Sequence, residues 1–418
     1  MPIYATKEAK EFWEASMSGR ARSLAASRYC HLKTAANAAN DDEYRKMSAL
    51  GIKKGTVIAD GPARFVEFVT LLEEQGASVV FAKLEARMIL NSAGGVVENG
   101  GICLDRNSGI PYIPGSTVKG CARRFAIWDL SQTEDTAKKA EKLARLCLVF
   151  GYGDTEWKAG RDTRKGHSHS DFWLAMVPLE DAGAELDPRR DKAWQEVAGR
   201  ARQILADKLG TESLPRQLQG CVSFLPAFPE RDPGIDLDIL TCHHPDYYQG
   251  GRPVATDDEN PNPVVFPAVA KGASFRFPIL PIRPRCADEF LAAARDALSE
   301  GLQQFGLGGK TNAGYGWFSI DTAAAKRAVE EREIAKLAAS GPDEVALSEI
   351  KELHEKGQLA AKLNAYSFDE KFWPEQSSVG FEISLFEFVK SEAPDLAASK
   401  KGKKAVENLA AKLNLPFP

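Results

Sequence analysis

Three cations, Lys119, Arg123 and Arg124, lie close together in the stretch "PYIPGSTVKGCARRFA" at residues 111 to 126. No acidic residue follows them before Asp129. Unbalanced cations near the start of a helix favour an anion, because the unpaired N–H groups and the positive end of the helix dipole act with them. The chemistry indicated is phosphate or other anion binding, and the alternative interpretation is an ordinary solvated helix face.

The element that must position these cations is predicted to be a helix. Pro114 and Gly115 interrupt the preceding extended run, and Ser116 is a favourable N-cap residue, so we expect a helix that ends near Leu130. Its buried stripe is predicted from helical periodicity to contain Val118, Cys121, Ala122 and Phe125. The side chains of Ser116 and Lys119 then lie on the opposite side.

A second candidate site is the glycine-rich stretch "FGLGGKTNAGYGWFSID" near residue 310. A Walker A motif would need glycine at Gln304, and a dinucleotide-binding motif would need glycine at Thr311, so both nucleotide-loop assignments fail. Five glycines between residues 306 and 316 could bring backbone N–H groups close to a polyanion. The neighbouring side chains offer a charge, hydrogen bonds and an aromatic face, namely Lys310, Thr311, Asn312 and Tyr315. The alternative is a turn that only fixes strand register.

Composition restricts the function classes. The 418 residues are 44% hydrophobic and carry a net charge of -4, so a nucleic-acid surface would have to be a local patch. The sequence has neither a long apolar run nor a signal-peptide pattern, and we expect no membrane contact and a cytoplasmic location. The seven cysteines form no CxxC pair, which argues against a disulfide framework or a cysteine-built zinc site.

The hydrophobic periodicity predicts three parts. Residues 1–76 are expected to be helical, residues 77–321 to form an α+β domain with an insertion at about 131–215, and residues 322–418 to form a mainly helical extension. Alternation between Val80 and Met88 predicts a half-buried strand. The order strand, helix, strands, helix, strand is typical of a ferredoxin-like (RRM-like) unit, with two helices on one face of an antiparallel sheet. We expect the other face to be free for binding.

The two candidate sites together resemble a known pair of motifs. "IPGSTVKGCARRF" and "GLGGKTNAGYGWF" are similar to the paired signatures of the RAMP superfamily, the RNA-binding subunits of CRISPR effector complexes. Four further stretches, in the same order, resemble the sixth-subunit family of the type III-B (Cmr) complex: "ENGGICLDRNSGIPYIPGSTVKG", "LVFGYGD", "DILTCHHPDYYQG" and "NPNPVVFPAVAKGASFRFPIL". The resemblance covers roughly residues 76 to 321.

This resemblance implies a ferredoxin-like RAMP core and a structural role in antiviral defence, without a cofactor. The subunit would hold the 3′ portion of the guide CRISPR RNA at the end of the effector filament, near target RNA and beside other RAMP subunits. The RNA-binding residues implied are Ser116, Lys119, Arg123, Arg124, Gly308, Gly309, Lys310, Thr311, Asn312 and Tyr315.

No catalytic role is expected. In RAMP subunits that cleave target RNA, an aspartate lies on the loop after the first strand, whereas the corresponding loop here carries Glu98 and no aspartate. The alternative is a metal-independent endoribonuclease that processes repeat RNA, in which a histidine would activate a ribose 2′-hydroxyl. Its candidate bases are His167, His169, His243 and His244. We predict no metal site, because His167 and His169 lack a third ligand.

Overall fold

The computed structural model divides into two compact units, Met1–Ala325 and Lys326–Pro418. The structure describes residues 52–53, 57, 61–92, 101–157, 170–177, 188–257, 262–282, 288–339, 342–357, 379–398 and 403–417. Of residues 1–76, which were predicted to be helical, residues 1–51, 54–56 and 58–60 lie outside these ranges.

The first unit contains the following elements in chain order: α1 (Gly61–Glu74), β1 (Ser78–Leu84), α2 (Gly115–Ser131), α3 (Thr136–Phe150), β2 (Gly151–Tyr152), α4 (Asp171–Leu174), α5 (Pro188–Leu209), β3 (Leu218–Gln219), β4 (Val222–Phe224), β5 (Phe228–Pro229), β6 (Ile235–Cys242), α6 (Pro245–Tyr248), β7 (Asn262–Val269), β8 (Ser274–Pro281), α7 (Asp288–Gln304), a 3₁₀ turn (Thr311–Ala313) and β9 (Phe318–Ile320). The division between the units falls within α8 (Thr322–Ala339), which is followed by α9 (Pro342–Glu355), α10 (Val379–Ser391), α11 (Pro394–Ala398) and α12 (Lys403–Leu413).

The main sheet has the ferredoxin-like strand order. Its strands run β4-β8-β1-β9, every pairing is antiparallel, and β5 also pairs with β8. Helix α2 lies between β1 and β4 in the chain, and α7 lies between β8 and β9. This arrangement is the one in which two helices cover one face of an antiparallel sheet, so the predicted fold class is confirmed.

Strand β1 is shorter than its periodicity predicts. The inward positions Val80, Ala82 and Leu84 are buried and Lys83 is exposed, as expected for a half-buried strand. The strand nevertheless ends at Leu84, and Met88 then forms a bridge with Val269 of β7. Beyond Leu84 the chain bends at Ala86 and then changes its pairing partner, so the predicted alternation spans two separately paired segments.

The main core lies between the sheet and the helices α2 and α7. Gly301 of α7 sits against Cys121 of α2, where an added Cβ would lie 2.8 Å from the Cys121 carbonyl oxygen. The segment expected as an insertion contributes to this same core, since Leu143 of α3 and Val197 and Leu205 of α5 are buried in it. Helices α3 and α5 therefore extend the hydrophobic core.

The opposite face of the sheet is partly covered, contrary to the expectation that it is free. Alternate strand residues point to opposite faces, so buried Phe81 lies on the face opposite to Val80. Helix α1 contacts β1, β5 and β8, and its Phe65 ring stacks on Phe228 at a centroid distance of 3.7 Å. The α1 sequence is amphipathic, but nothing local in it specifies the surface that its apolar residues contact.

Strands β6 and β7 form a separate antiparallel ribbon that pairs Ile235 with Val269 and Cys242 with Asn262. The stretch "NPVVFPAVA" predicts β7. No strand was predicted at β6, because the alternating aspartates Asp236 and Asp238 obscure the strand pattern. An isolated β-bridge between Met88 and Val269 connects the ribbon to the segment that follows β1.

The second unit is helical and has its own core. Leu385 and Phe386 of α10, Leu396 of α11 and Leu409 of α12 are buried together. The apolar run within the extension is thus the inner face of a helix. Within the part of the chain that the structure describes, no helix is long and apolar enough to cross a membrane.

Candidate nucleic-acid interface

Helix α2 begins at Gly115, and its N-cap lies two residues before the predicted one. Its N-cap is Pro114, which makes no side-chain cap hydrogen bond, so the assignment of Ser116 as the cap is wrong. Gly115 allows this start, because an added Cβ would lie 2.4 Å from the carbonyl oxygen of Phe224. The first turn is therefore fixed against the end of β4, and Ser116 lies exposed inside the helix.

Lys119 lies one turn further along α2 and is half-buried. Burial, followed by the neighbouring Arg123 charge, lowers the pKa of Lys119, and Glu156 partly opposes this. Both leading causes disfavour the protonated amine. An anion beside Lys119 would relieve this cost, since an opposite charge stabilises the protonated form.

Arg123 is held by carboxylates from remote parts of the chain. Its guanidinium forms ion pairs with Glu156 and with Asp171, the latter at 2.5 Å, and lies 5.7 Å from the Phe172 ring centroid. These carboxylates are 33 and 48 residues away in sequence, so the local absence of acidic residues was misleading. Arg123 ties α2 to the segment before α4 and to α4 itself.

Arg124, in contrast, is exposed, and its guanidinium lies 4.7 Å from the Phe305 ring centroid. Among the described residues it forms no ion pair. Phe305 directly precedes the glycine-rich loop, residues 306–316. Stacking on Phe305 fixes the direction of the guanidinium while its hydrogen-bond donors stay available.

The glycine-rich loop is shaped by backbone requirements. Gly306, Gly308, Gly314 and Gly316 all have positive φ. An added Cβ would lie 1.8 Å from the Leu307 carbonyl oxygen at Gly316 and 2.5 Å from the Ile89 carbonyl oxygen at Gly308. At least these two glycines are needed for the turn itself, which is the structural alternative left open by the sequence.

The outer side of the same loop is accessible. Gly308, Lys310 and Asn312 are exposed, while Gly309 and Thr311 are half-buried. Lys310 has a φ of 56°, and the 3₁₀ turn follows it directly. The loop therefore presents one cation and one amide side chain from a backbone that is anchored to Ile89 through the Gly309 N–H, at 2.8 Å.

Tyr315 points toward the protein. Its hydroxyl donates a hydrogen bond to Asp238 of β6, and its ring centroid lies 6.2 Å from that of Phe266 of β7. Burial, followed by the Asp238 hydrogen bond, raises the pKa of Tyr315. Asp238 also pairs with Arg87 at 3.0 Å, so Tyr315 connects the loop to the β6–β7 ribbon.

The two predicted segments meet near the start of the loop. Cys121 Sγ lies 3.6 Å from the Gly306 carbonyl oxygen, and Arg124 lies over Phe305. Arg124 therefore lies beside the position where the loop follows α7, whereas the charges that act on Lys119 are those of Arg123 and Glu156. Sequence reasoning missed Glu156 and Asp171, and no local signal could have connected them to Arg123.

Two of the four histidines of the alternative enzymatic hypothesis, His243 and His244, lie within the described residues. His243 is exposed and His244 is half-buried, with its Nδ1 3.1 Å from the Thr256 carbonyl oxygen. Tyr247 and Tyr248 are exposed and meet edge to face at 5.5 Å. His167, His169 and Glu98 lie outside the described residues. Within the described ranges, no cluster of three or more His, Cys, Asp or Glu side chains could hold a metal ion.

The chain is similar to a curated protein and to several solved structures. A curated relative, CRISPR system Cmr subunit Cmr6 of Pyrococcus furiosus, is 23% identical over 60% of this chain and 70% of its own length. A crystal structure of Cmr6 from the same organism covers 59% of this chain and 98% of its own, with 23% identity and a TM-score of 0.28.

A chain in a cryo-EM structure of a type III-B Cmr-beta complex bound to cognate target RNA covers 67% of this chain and 72% of its own, with 17% identity and a TM-score of 0.38. Both TM-scores are low, so the fold assignment depends on the strand order and on the family match. The RAMP superfamily matches residues 92–319, which is more than half of the sequence and includes both α2 and the glycine-rich loop. The chain belongs to the RAMP superfamily.

Proposed function

We propose that this chain is a non-catalytic RNA-binding subunit of a type III-B CRISPR effector complex. Membership of the RAMP superfamily and the 23% identity to a Cmr6 protein support this proposal. In the proposed role the subunit holds the 3′ portion of the guide RNA at the end of the filament. Its partners are guide and target RNA and neighbouring RAMP subunits.

The observation that carries the proposal is the surface formed where α2 meets the glycine-rich loop. We assign to this surface the cations Lys119 and Arg124 of the helix and Lys310 of the loop, together with the exposed residues Ser116 and Asn312. Arg124 is held in place by Phe305, and Cys121 lies against Gly306. We name this set of residues the α2–loop surface.

The chemistry of the α2–loop surface suits a phosphate backbone. Its cations would contact phosphates, and hydroxyl, amide and backbone groups would complete the hydrogen bonds. Such contacts carry little sequence information, and their affinity falls as salt rises because counterions are released on binding. The proposed binding is therefore strong in low salt and tolerant of guide sequence.

The RNA-binding part is tested by fluorescence anisotropy with a labelled single-stranded RNA on the full chain. A Lys119→Glu, Arg124→Glu variant should bind at least about 30-fold more weakly at fixed salt, since two attractive contacts become repulsive. The matched control, Arg145→Glu with Lys192→Glu on α3 and α5, makes the same change in net charge. Equal losses in the two variants would contradict the proposed surface.

The non-catalytic part is tested separately. The full chain, incubated with labelled repeat RNA in EDTA, should leave the RNA intact, whereas a defined product would support the processing-enzyme hypothesis. A complex reconstituted with a His243→Ala, His244→Ala subunit should keep all target-cleavage products. Loss of one product with normal assembly would assign an active site to this chain.

A further inference from the structure

A polar cavity lies within the segment that was expected to be an insertion. It has a volume of about 710 Å³, within the range of natural small-ligand sites. Its walls are β2, the residues after β2, α5 and the loop before β3. The side chains that matter here are Tyr152, Asp154, Trp157, Arg202, Glu212 and Arg216.

An aromatic and guanidinium stack forms one side of the cavity. The Arg202 guanidinium lies 5.0 Å from the Trp157 ring centroid, and its Nη2 donates to the Trp157 carbonyl oxygen at 3.4 Å. Trp157 is itself held edge to face by Tyr152 at 5.5 Å and by Phe172 at 5.8 Å. Arginine planes and indole rings supported in this way are surfaces on which nucleobases stack.

The cavity contains both signs of charge without internal neutralisation. Arg216, Asp154 and Glu212 form no ion pair within the described part of the chain, and all three are exposed. A purely anionic ligand would be repelled by the carboxylates, and an apolar ligand would displace water from these charges without replacing its hydrogen bonds. The lining instead suits a ligand with an anionic group, hydroxyl donors and a flat ring.

The cavity wall is fixed in place on two sides. The Tyr152 hydroxyl donates to the Pro215 carbonyl oxygen at 2.9 Å, which joins β2 to the loop that carries Glu212 and Arg216. On the other side, Glu156 accepts a hydrogen bond from the Gly153 N–H at 2.7 Å and pairs with Arg123 of α2. The cavity is thus a preformed site whose wall is attached to the cationic helix.

We propose that this cavity binds a single ribonucleotide. The phosphate contacts Arg216 and Arg202, the base stacks on the Arg202–Trp157 side, and the ribose hydroxyls donate to Asp154 or Glu212. A carboxylate that accepts from a 2′-hydroxyl also distinguishes RNA from DNA. Binding of a free ribonucleotide by the cavity does not depend on the proposed function. Only the identification of its natural ligand as one nucleotide of a bound RNA rests on that function.

The test is calorimetric titration of the full chain with AMP, CMP, GMP, UMP and 2′-deoxy-AMP. The ribonucleotides should bind, and Arg216→Ala should weaken binding about tenfold or more, as expected for a charge-assisted hydrogen bond. The matched control is Arg200→Ala, an exposed arginine of α5 that does not line the cavity; its affinity should equal that of the unchanged protein. Arg216 is exposed and forms no ion pair within the described residues, so its replacement should not compromise folding.

The ribose contact is tested by Asp154→Asn and Glu212→Gln. AMP should bind several-fold more tightly than 2′-deoxy-AMP, and one of the two variants should remove this preference. No binding of any ribonucleotide, or equal weakening by Arg216→Ala and Arg200→Ala, would overturn the proposal. The Lys119→Glu, Arg124→Glu variant should keep AMP binding while losing RNA binding, so failure of the cavity and failure of the α2–loop surface give different results.

Discussion

Helix α2 and the glycine-rich loop carry the same type of sequence signal, but the structure uses their residues differently. In α2 the two adjacent arginines have different environments. Arg123 forms ion pairs with Glu156 and Asp171, whereas Arg124 is exposed and lies over Phe305. In the loop the glycines shape the backbone, Lys310 and Asn312 reach the surface, and Tyr315 points inward to Asp238. Each segment therefore contains some residues that stabilise the fold and others that are exposed at the surface.

This difference shows where a motif can mislead. A glycine is explained by its own φ and its nearest backbone atoms, so its role is local. A cation is explained by the carboxylates that fold against it, and these can come from any part of the chain. Substitution of glycines in the glycine-rich loop should therefore lower the stability of the fold. In α2, Arg123 should contribute mainly to stability and Arg124 mainly to RNA binding.

The largest effect is expected at Gly316. A Gly316→Val change requires a β-branched residue at a φ of 68°, with its Cβ 1.8 Å from the Leu307 carbonyl oxygen. We expect the free energy of unfolding to fall by about 3 kcal/mol or more in a denaturant titration. The control Gly314→Ala keeps a positive φ but has open space around it, and should cost only about 1 kcal/mol. Similar costs at the two positions would mean that steric contact does not shape the loop.

Arg123→Ala is expected to have the next largest effect, again on stability. It leaves Glu156 without its cation, and the free energy of unfolding should fall by about 2 kcal/mol, between the values for exposed and buried ion pairs. A double-mutant cycle with Glu156→Gln measures the coupling. A coupling energy near zero would show that the Arg123–Glu156 pair does not hold α2 to its neighbour.

Arg124→Ala should alter binding more than stability. Loss of one phosphate contact should lower RNA affinity about threefold to tenfold and reduce the slope of log affinity against log salt by about one. The lost stacking on Phe305 should cost no more than about 1 kcal/mol of stability. If Arg123→Ala reduces the salt slope and Arg124→Ala does not, the assigned roles of the two arginines are reversed.

The smallest expected effect concerns Lys119 and pH. Burial and then Arg123 lower the pKa of Lys119, so its charge is lost at a lower pH than that of an ordinary lysine. RNA affinity should therefore decline as the pH rises toward this lowered pKa, and Lys119→Arg, which stays protonated, should abolish the decline. Stability should change in the opposite direction, because the unfolded chain holds this proton more tightly and the penalty disappears as the pH rises.

A sloping pH profile that is the same in Lys119→Arg would assign the effect to another group. Anisotropy at constant ionic strength measures the binding, and urea titrations at matched pH values measure the stability. Both are needed, since the predicted slopes have opposite signs.

The elements of the sheet and its two helices could be predicted from the sequence. Alternation at Val80, Ala82 and Leu84 and helical spacing at Val118, Cys121 and Ala122 reflect burial, and all these residues are buried. Burial periodicity identifies the inward face of an element. It does not identify what packs against that face, so the cover provided by α1 and the shared core of α3 and α5 were not foreseen.

For the candidate site, too, the sequence predicted local features but not the partners that come from distant parts of the chain. Lys310 and Asn312 are exposed in a loop in which four of the five glycines have positive φ. Tyr315 and Arg123 were expected to face RNA, but each has a carboxylate partner far away in sequence, Asp238 for the first and Glu156 for the second. Pairing over such separations depends on tertiary packing and leaves no local signature.

The close crossing of α2 and α7 gives Gly301 an influence on a surface that it does not reach. With an added Cβ only 2.8 Å from the Cys121 carbonyl oxygen and 3.1 Å from its Sγ, any larger residue would force the two helices apart or tilt them. Lys119 precedes this contact along α2 and Arg124 follows it, so a tilt would displace the two cations in opposite directions. Gly301 thus sets the spacing between Lys119 and Arg124, and its substitution should weaken the proposed RNA binding without removing a charge.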